Sequence, residues 1–111
     1  MSAEENEVLC ASSAYEQKYY FNEMFGNLPQ EVKDELKIMC VMFTEDVGGE
    51  FILAFDGAGT LLMESSADEG DLLYDEIGSA LKIKQLQIKK AGLFGQLEQY
   101  YKAWTEVKGC C

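Results

Sequence analysis

The stretch Glu50-Phe51-Ile52-Leu53-Ala54-Phe55-Asp56-Gly57-Ala58-Gly59-Thr60-Leu61-Leu62-Met63-Glu64-Ser65-Ser66 decides the fold. Two short runs rich in large apolar residues flank an Asp-Gly-Ala-Gly turn, which is the signature of a β-hairpin. The strands are expected over Glu50–Asp56 and Thr60–Ser66. Phe51, Leu53 and Phe55 alternate along one face, but Ile52 and Ala54 make the first strand apolar on the other face as well. A hairpin buried on two sides is marginal alone. It needs helices on one side and further cover on the other. A third strand at Ile38–Phe43 is one source of that cover, and the same hairpin from a second subunit is another.

Upstream, Pro29 suits the first turn of a helix, and Glu31 and Asp34 favour its N-terminal dipole. Val32, Leu36, Met39/Cys40, Phe43 and Val47 recur at intervals of three and four, predicting a helix from Pro29 to Val47 that ends at Gly48-Gly49. Within it, Ile38–Phe43 is six consecutive apolar residues and also reads as a buried strand. Further upstream, Ser13 with Glu16 matches a capping box. The reading is a helix from Ala14 to Phe25, stopped by Gly26-Asn27. Residues 1–12 read as a flexible acidic lead-in.

Downstream, Ala67–Asp71 is an acidic turn. Leu72 to about Val107 reads as helix, in one piece or two. Leu73, Ile77, Ala80 and Leu81 form one apolar stripe. Ile83, Leu86, Leu93, Leu97, Tyr100, Trp104 and Val107 form another, out of phase with the first, so the helix is expected to bend or break near Leu81–Ile83. The predicted fold is α+β. It has two N-terminal helices, a β-hairpin (or a three-stranded antiparallel sheet if residues 38–43 are a strand) and a long C-terminal helical segment. The expected organisation is a single domain over residues 13–107, with a tail at 108–111.

The whole chain of 111 residues contains no histidine and no arginine, and carries a net charge of −11. Imidazole for acid–base work and guanidinium for gripping phosphate are therefore missing. The acidity disfavours nucleic acid, whose backbone is bound through Lys/Arg neutralisation, and anionic membrane surfaces. The start Met1-Ser2-Ala3-Glu4-Glu5-Asn6-Glu7 is acidic where a signal peptide is basic. No apolar run approaches bilayer length. The expectation is a cytoplasmic protein. Charge is uneven: residues 1–76 hold 18 acids and three lysines, whereas residues 77–111 hold two acids and six lysines. The C-terminal helical segment is a basic element on an acidic body, and its lysines are expected to meet acids within one chain or across two subunits.

Three stretches, Thr44-Glu45-Asp46-Val47-Gly48-Gly49, Phe55-Asp56-Gly57-Ala58-Gly59 and Asp75-Glu76-Ile77-Gly78-Ser79-Ala80, occur in an order and spacing that resembles an uncharacterised family of small acidic proteins from clostridial Firmicutes, a domain of unknown function. The resemblance spans roughly residues 8–107. It implies a bacterial cytoplasmic protein and carries no functional residue with it.

Among the residues that could carry chemistry, Asp68, Glu69, Asp71, Asp75 and Glu76 are the candidate metal ligands, because hard cations need several oxygens from one loop. Their spacing fits no EF-hand, and acids at a helix N-terminus also serve the macrodipole. Cys10, Cys40, Cys110 and Cys111 include no C-x-x-C, so a zinc site lacks its parts. Cys40 and Cys10 are expected in the core, and Cys110-Cys111 as an exposed thiol pair. The glycine pairs have neither nucleotide-binding spacing. No catalytic residue and no cofactor is assigned. Tyr19, Tyr20, Phe21, Tyr100, Tyr101 and Trp104 are too many for one face of their helices, which marks them as interface candidates. The functional expectation is a non-enzymatic protein-interaction or regulatory, adaptor-like protein. It is expected to form a homodimer and to bind a protein partner, without nucleic acid or membrane. The alternative is a small-ligand- or divalent-cation-binding domain using the acidic turn at residues 68–76.

Overall fold

The computed structural model describes residues 6–109, with side chains through Trp104; Cys110 and Cys111 lie outside the described residues, as do residues 1–5 of the expected lead-in. In chain order come strands β1 (Glu7–Ser13) and β2 (Lys18–Phe21), a 3₁₀ turn (Glu23–Phe25), helix α1 (Gln30–Val47), strands β3 (Glu50–Phe55) and β4 (Leu61–Ser66), and helices α2 (Glu76–Lys89) and α3 (Ala91–Gly109). The strands form one antiparallel sheet in the order β2-β1-β3-β4.

The class is α+β, but the predicted arrangement is overturned. The N-terminal segment is a hairpin, and the sheet has four strands. Three consecutive aromatics explain the change. Tyr19, Tyr20 and Phe21 would point in three directions on a helix. On a strand, Tyr19 and Phe21 turn inward to the core while Tyr20 turns out, and aromatic residues fit the pleated surface well. The Ser13/Glu16 pairing is real but closes a turn: the Ser13 hydroxyl accepts from the Glu16 N–H at 3.3 Å. Gln17 supplies the left-handed residue of that turn at φ 54°.

The acidic lead-in is likewise corrected, because its second half becomes a central strand. The register shifts between Val8 and Cys10. Such a bulge breaks the alternation, and Leu9 and Cys10 are both fully buried. Ser12, also buried, donates to the Cys40 carbonyl at 2.8 Å. Its hydroxyl lies 3.2 Å from that of Thr44, which bonds the α1 backbone in turn. Polar Ser12 and Ser13 are what make this strand read as a loop.

Helix α1 takes the whole predicted span, so Ile38–Phe43 is helical and the added strands come from residues 7–13 and 18–21. The β3–β4 hairpin sits as predicted. Its partners Leu53↔Met63 and Phe51↔Ser65 continue the face that β1 builds with Cys10 and Ser12. All three helices lie on this face. Phe43 stacks on Phe51 at 4.0 Å between centroids, and Phe55 stacks on Tyr101 at 4.2 Å. Phe25 packs among Phe55, Tyr101 and Trp104, which closes the end of the core under α3.

The C-terminal helical segment breaks at Lys90, not near Leu81–Ile83, and begins at Glu76, not Leu72. Asp75 caps the start, its carboxylate accepting the Gly78 N–H at 2.8 Å. The Asp75 N–H donates to the Val47 carbonyl at 2.9 Å, tying the head of α2 to the foot of α1. Ion pairs Lys82–Asp46 (2.8 Å) and Lys90–Glu35 (2.6 Å) show that α2 runs antiparallel beside α1. At the outer edge, the Glu98 carboxylate accepts the Leu61 N–H at 2.8 Å, which blunts the β4 edge against pairing with another chain.

Gly49 makes the tightest junction between α1 and β3. It has φ 70°, and a Cβ there would collide with the Ser66 carbonyl and lie 2.9 Å from the Tyr74 ring. Gly57 has open space around its would-be Cβ. Urea unfolding should show Gly49→Ala losing about 2–4 kcal/mol, because backbone strain and a steric clash act together. Gly57→Ala should stay within about 0.5 kcal/mol of the parent.

Candidate functional site

The acidic turn joins β4 to α2, and the structure gives two of the candidate ligands, Asp71 and Asp75, backbone-capping roles there. Asp71 accepts from the Tyr15 hydroxyl at 2.5 Å through one carboxylate oxygen and from the Leu73 N–H at 2.9 Å through the other. The Asp68 N–H donates to the same Tyr15 oxygen at 2.8 Å. Asp75 is the α2 cap. Glu76 occupies the first turn of α2, and Glu69 is exposed. Among the described residues, no group of three carboxylates or thiols is disposed to hold a metal ion. Tyr15 is the residue that sequence reasoning missed here. It tethers the β1–β2 turn to a turn 56 residues later in the chain, and no local pattern signals that.

The Tyr15 hydroxyl, followed by the Leu73 N–H, holds the Asp71 carboxyl below the usual carboxylate range, and Asp71 in return raises the Tyr15 pKa. The depressed group favours the tethered state above the ordinary carboxylate pKa, and this is lost as pH falls through the lowered value. A carbon-detected NMR titration should find the Asp71 pKa rising toward the ordinary range in Tyr15→Phe.

Cys10 and Cys40 meet inside the core with their sulfurs 3.6 Å apart. The hydrogen bond to Cys10, and then burial, push the Cys40 thiol far up. The Tyr19 hydroxyl is buried beside the pair without a hydrogen-bond partner, and burial raises its pKa as well. A thiol held protonated is a poor nucleophile. Peptide mapping after alkylation at pH 8 should find Cys10 and Cys40 unmodified in the native protein, with labelling at the rate of global unfolding.

The described surface is more distinctive for its apolar groups. The interface candidates divide sharply. Tyr19, Phe21, Tyr100, Tyr101 and Trp104 pack against the core, and Tyr20 is 54% exposed. The first of the two apolar stripes read in the C-terminal segment does the opposite. Leu73, Ile77 and Leu81, together with Leu72 and Ile88, stand out from the molecule, from 57% exposed at Leu81 to 95% at Leu72. The second stripe, from Ile83 and Leu86 to Trp104, faces the core instead. The two stripes are out of phase because α2 buries one and presents the other.

Beside the exposed stripe runs a groove of about 690 Å³ between α1 and α2. Met39, Phe43 and Leu86 form its floor, and Ile38 and Met42 its α1 rim, both more than half exposed. Glu31, Asp34, Glu35 and Asp46 make the α1 wall acidic; Lys82, Lys89 and Lys90 make the α2 wall basic. A third surface is the sheet face away from the helices. The register places Ala11, Tyr20, Ile52, Ala54 and Leu62 there, with Lys18, Glu50 and Glu64 around them.

With this architecture established, the chain belongs to a family of unknown function, DUF6145, whose model matches residues 6–108. No curated protein and no solved structure matches it.

Proposed function

We propose that this protein is a non-enzymatic, cytoplasmic interaction module of adaptor type that acts as a homodimer. The exposed apolar stripe of α2 carries the reading. Monomers expose single apolar residues routinely, but contiguous large ones mark interaction surfaces. Leu72 and Leu73, just before α2, and Ile77, Leu81 and Ile88 along it fall on one short segment, and each is more than half exposed. The chemistry of the polar groups supports the same reading. Of the acids in the residue 68–76 turn, Asp71 and Asp75 are engaged in turn closure and capping, and the two described cysteines are buried, with the Cys40 thiol held protonated. Among the described residues no helix is long and apolar enough to cross a membrane. The helix-free sheet face, with its apolar centre, is the surface left for a protein partner. A net charge of −11 favours a basic one through electrostatic steering.

Light scattering across a concentration series should give about twice the 12.5 kDa chain mass, falling toward the single-chain value only on dilution. A monomer up to high micromolar concentration would remove the dimer from this reading.

A further inference from the structure

The groove and the exposed stripe fit each other. We propose that the homodimer forms by α2 of each chain lying in the α1/α2 groove of the other, giving a two-fold, four-helix interface. This inference rests on the homodimer reading and names its surface.

Three observations carry it. First, Ile77, Leu81, Lys84 and Ile88 follow a four-three-four spacing. The spacing puts the three apolar residues and Lys84 on one exposed side of α2, where a neighbouring helix can pack along them. Second, the groove has an apolar floor and an apolar α1 rim at Ile38 and Met42, and Leu81 lies one turn from the groove-lining Gln85. Third, the charges are complementary. The stripe includes Lys84, and the α1 side carries Glu31, Asp34 and Glu45 in addition to Glu35 and Asp46, which pair with Lys90 and Lys82 of the same chain.

Helix angles then fix the arrangement. Around α2, the residues facing its own α1 are Lys82 and Lys89. The next strip, at Leu81 and Gln85, meets the partner's α2. The strip beyond, at Ile77, Lys84 and Ile88, reaches the partner's α1. Around α1, the strip next to the groove is Ile38 and Met42, which is what that contact requires. The two-fold axis runs along the helices, so each α2 is antiparallel to both copies of α1. Lys84 then stands level with the acidic foot of the partner's helix, near the partner's Glu45. The sheets end on opposite sides of the bundle with their helix-free faces outward. Isologous contacts of this kind close at two subunits.

Sedimentation equilibrium on the full chain tests the surface. Leu81→Glu should weaken the dimer by at least about 100-fold, as removal of a central apolar anchor does. Leu81→Ser provides the same direction if the charged variant fails to keep its far-ultraviolet spectrum. Ile52→Lys, on the open sheet face, should change the dimer constant by less than about threefold, because it lies outside this surface. Lys84→Glu should weaken association, and Lys84→Glu combined with Glu45→Lys should recover it. Dissociation by the single variant Ile52→Lys overturns the proposal by moving the interface to the sheet, and a dimer constant unmoved by Leu81→Glu overturns it as well. Absence of recovery in the charge swap overturns the placement of α2 against the partner's α1. A wild-type chain that is monomeric throughout rejects the underlying dimer instead, so the two failures are separable.

Discussion

The contact between β1 and α1 is the constraint on which the rest of the molecule depends. Ser12 donates to the Cys40 carbonyl, the Cys10 and Cys40 sulfurs touch, and the Ser12 and Thr44 hydroxyls meet. A buried hydroxyl costs free energy unless it is bonded, so this small polar seam is satisfied in one register only. A shift of β1 by one residue would turn Ser12 outward and bring Ala11 against α1. Because β1 lies between β2 and β3, fixing it under α1 also fixes both neighbours. The β3 face bearing Phe51, Leu53 and Phe55 is thereby set beneath Phe43, Phe25 and Tyr101.

A sheet fixed in this way is covered on one side only. Helices α1, α2 and α3 share its inner face, and α3 uses its aromatics to fill the end near Phe25 and Phe55. Helix α2 is the outermost element. It is held by Ile83 and Leu86 against the core, by its capping residue at the foot of α1 and by two surface ion pairs, each worth about 0–1 kcal/mol. Its buried face is narrow, since only Ser79 is fully enclosed. The exposed stripe therefore reflects a helix that rests on its own chain with one side and offers the other. The proposed dimer gives that side a partner without disturbing the core.

Much of this was legible in the sequence where a single period dominates. The β3–β4 hairpin followed from alternation around Asp56–Gly59, and α1 from its stripe between Pro29 and Gly48. The N-terminal hairpin was not legible. Its β1 strand contains a bulge that buries Leu9 and Cys10 together, and its inward Ser12 is polar because α1 offers it a carbonyl. Ser13 and Glu16 carry a local signal common to helix starts and turns, and only the tertiary setting decides between them. The α2 stripe was legible but its side was not, because periodicity reports that a face is apolar without saying what covers it. The acidic turn illustrates the same limit. Its composition suggested ligands and could not show that Asp71 tethers Tyr15 and Asp75 caps α2.

The most direct measure of whether β1 is the keystone is native-state hydrogen exchange resolved by residue. The amides of Cys10, Ala11 and Ser12 should exchange only through global unfolding, with the same free energy as those of Phe51–Phe55 and the same dependence on denaturant. Exchange of the β1 amides far ahead of β3, through local opening of the N-terminal segment, would contradict the account.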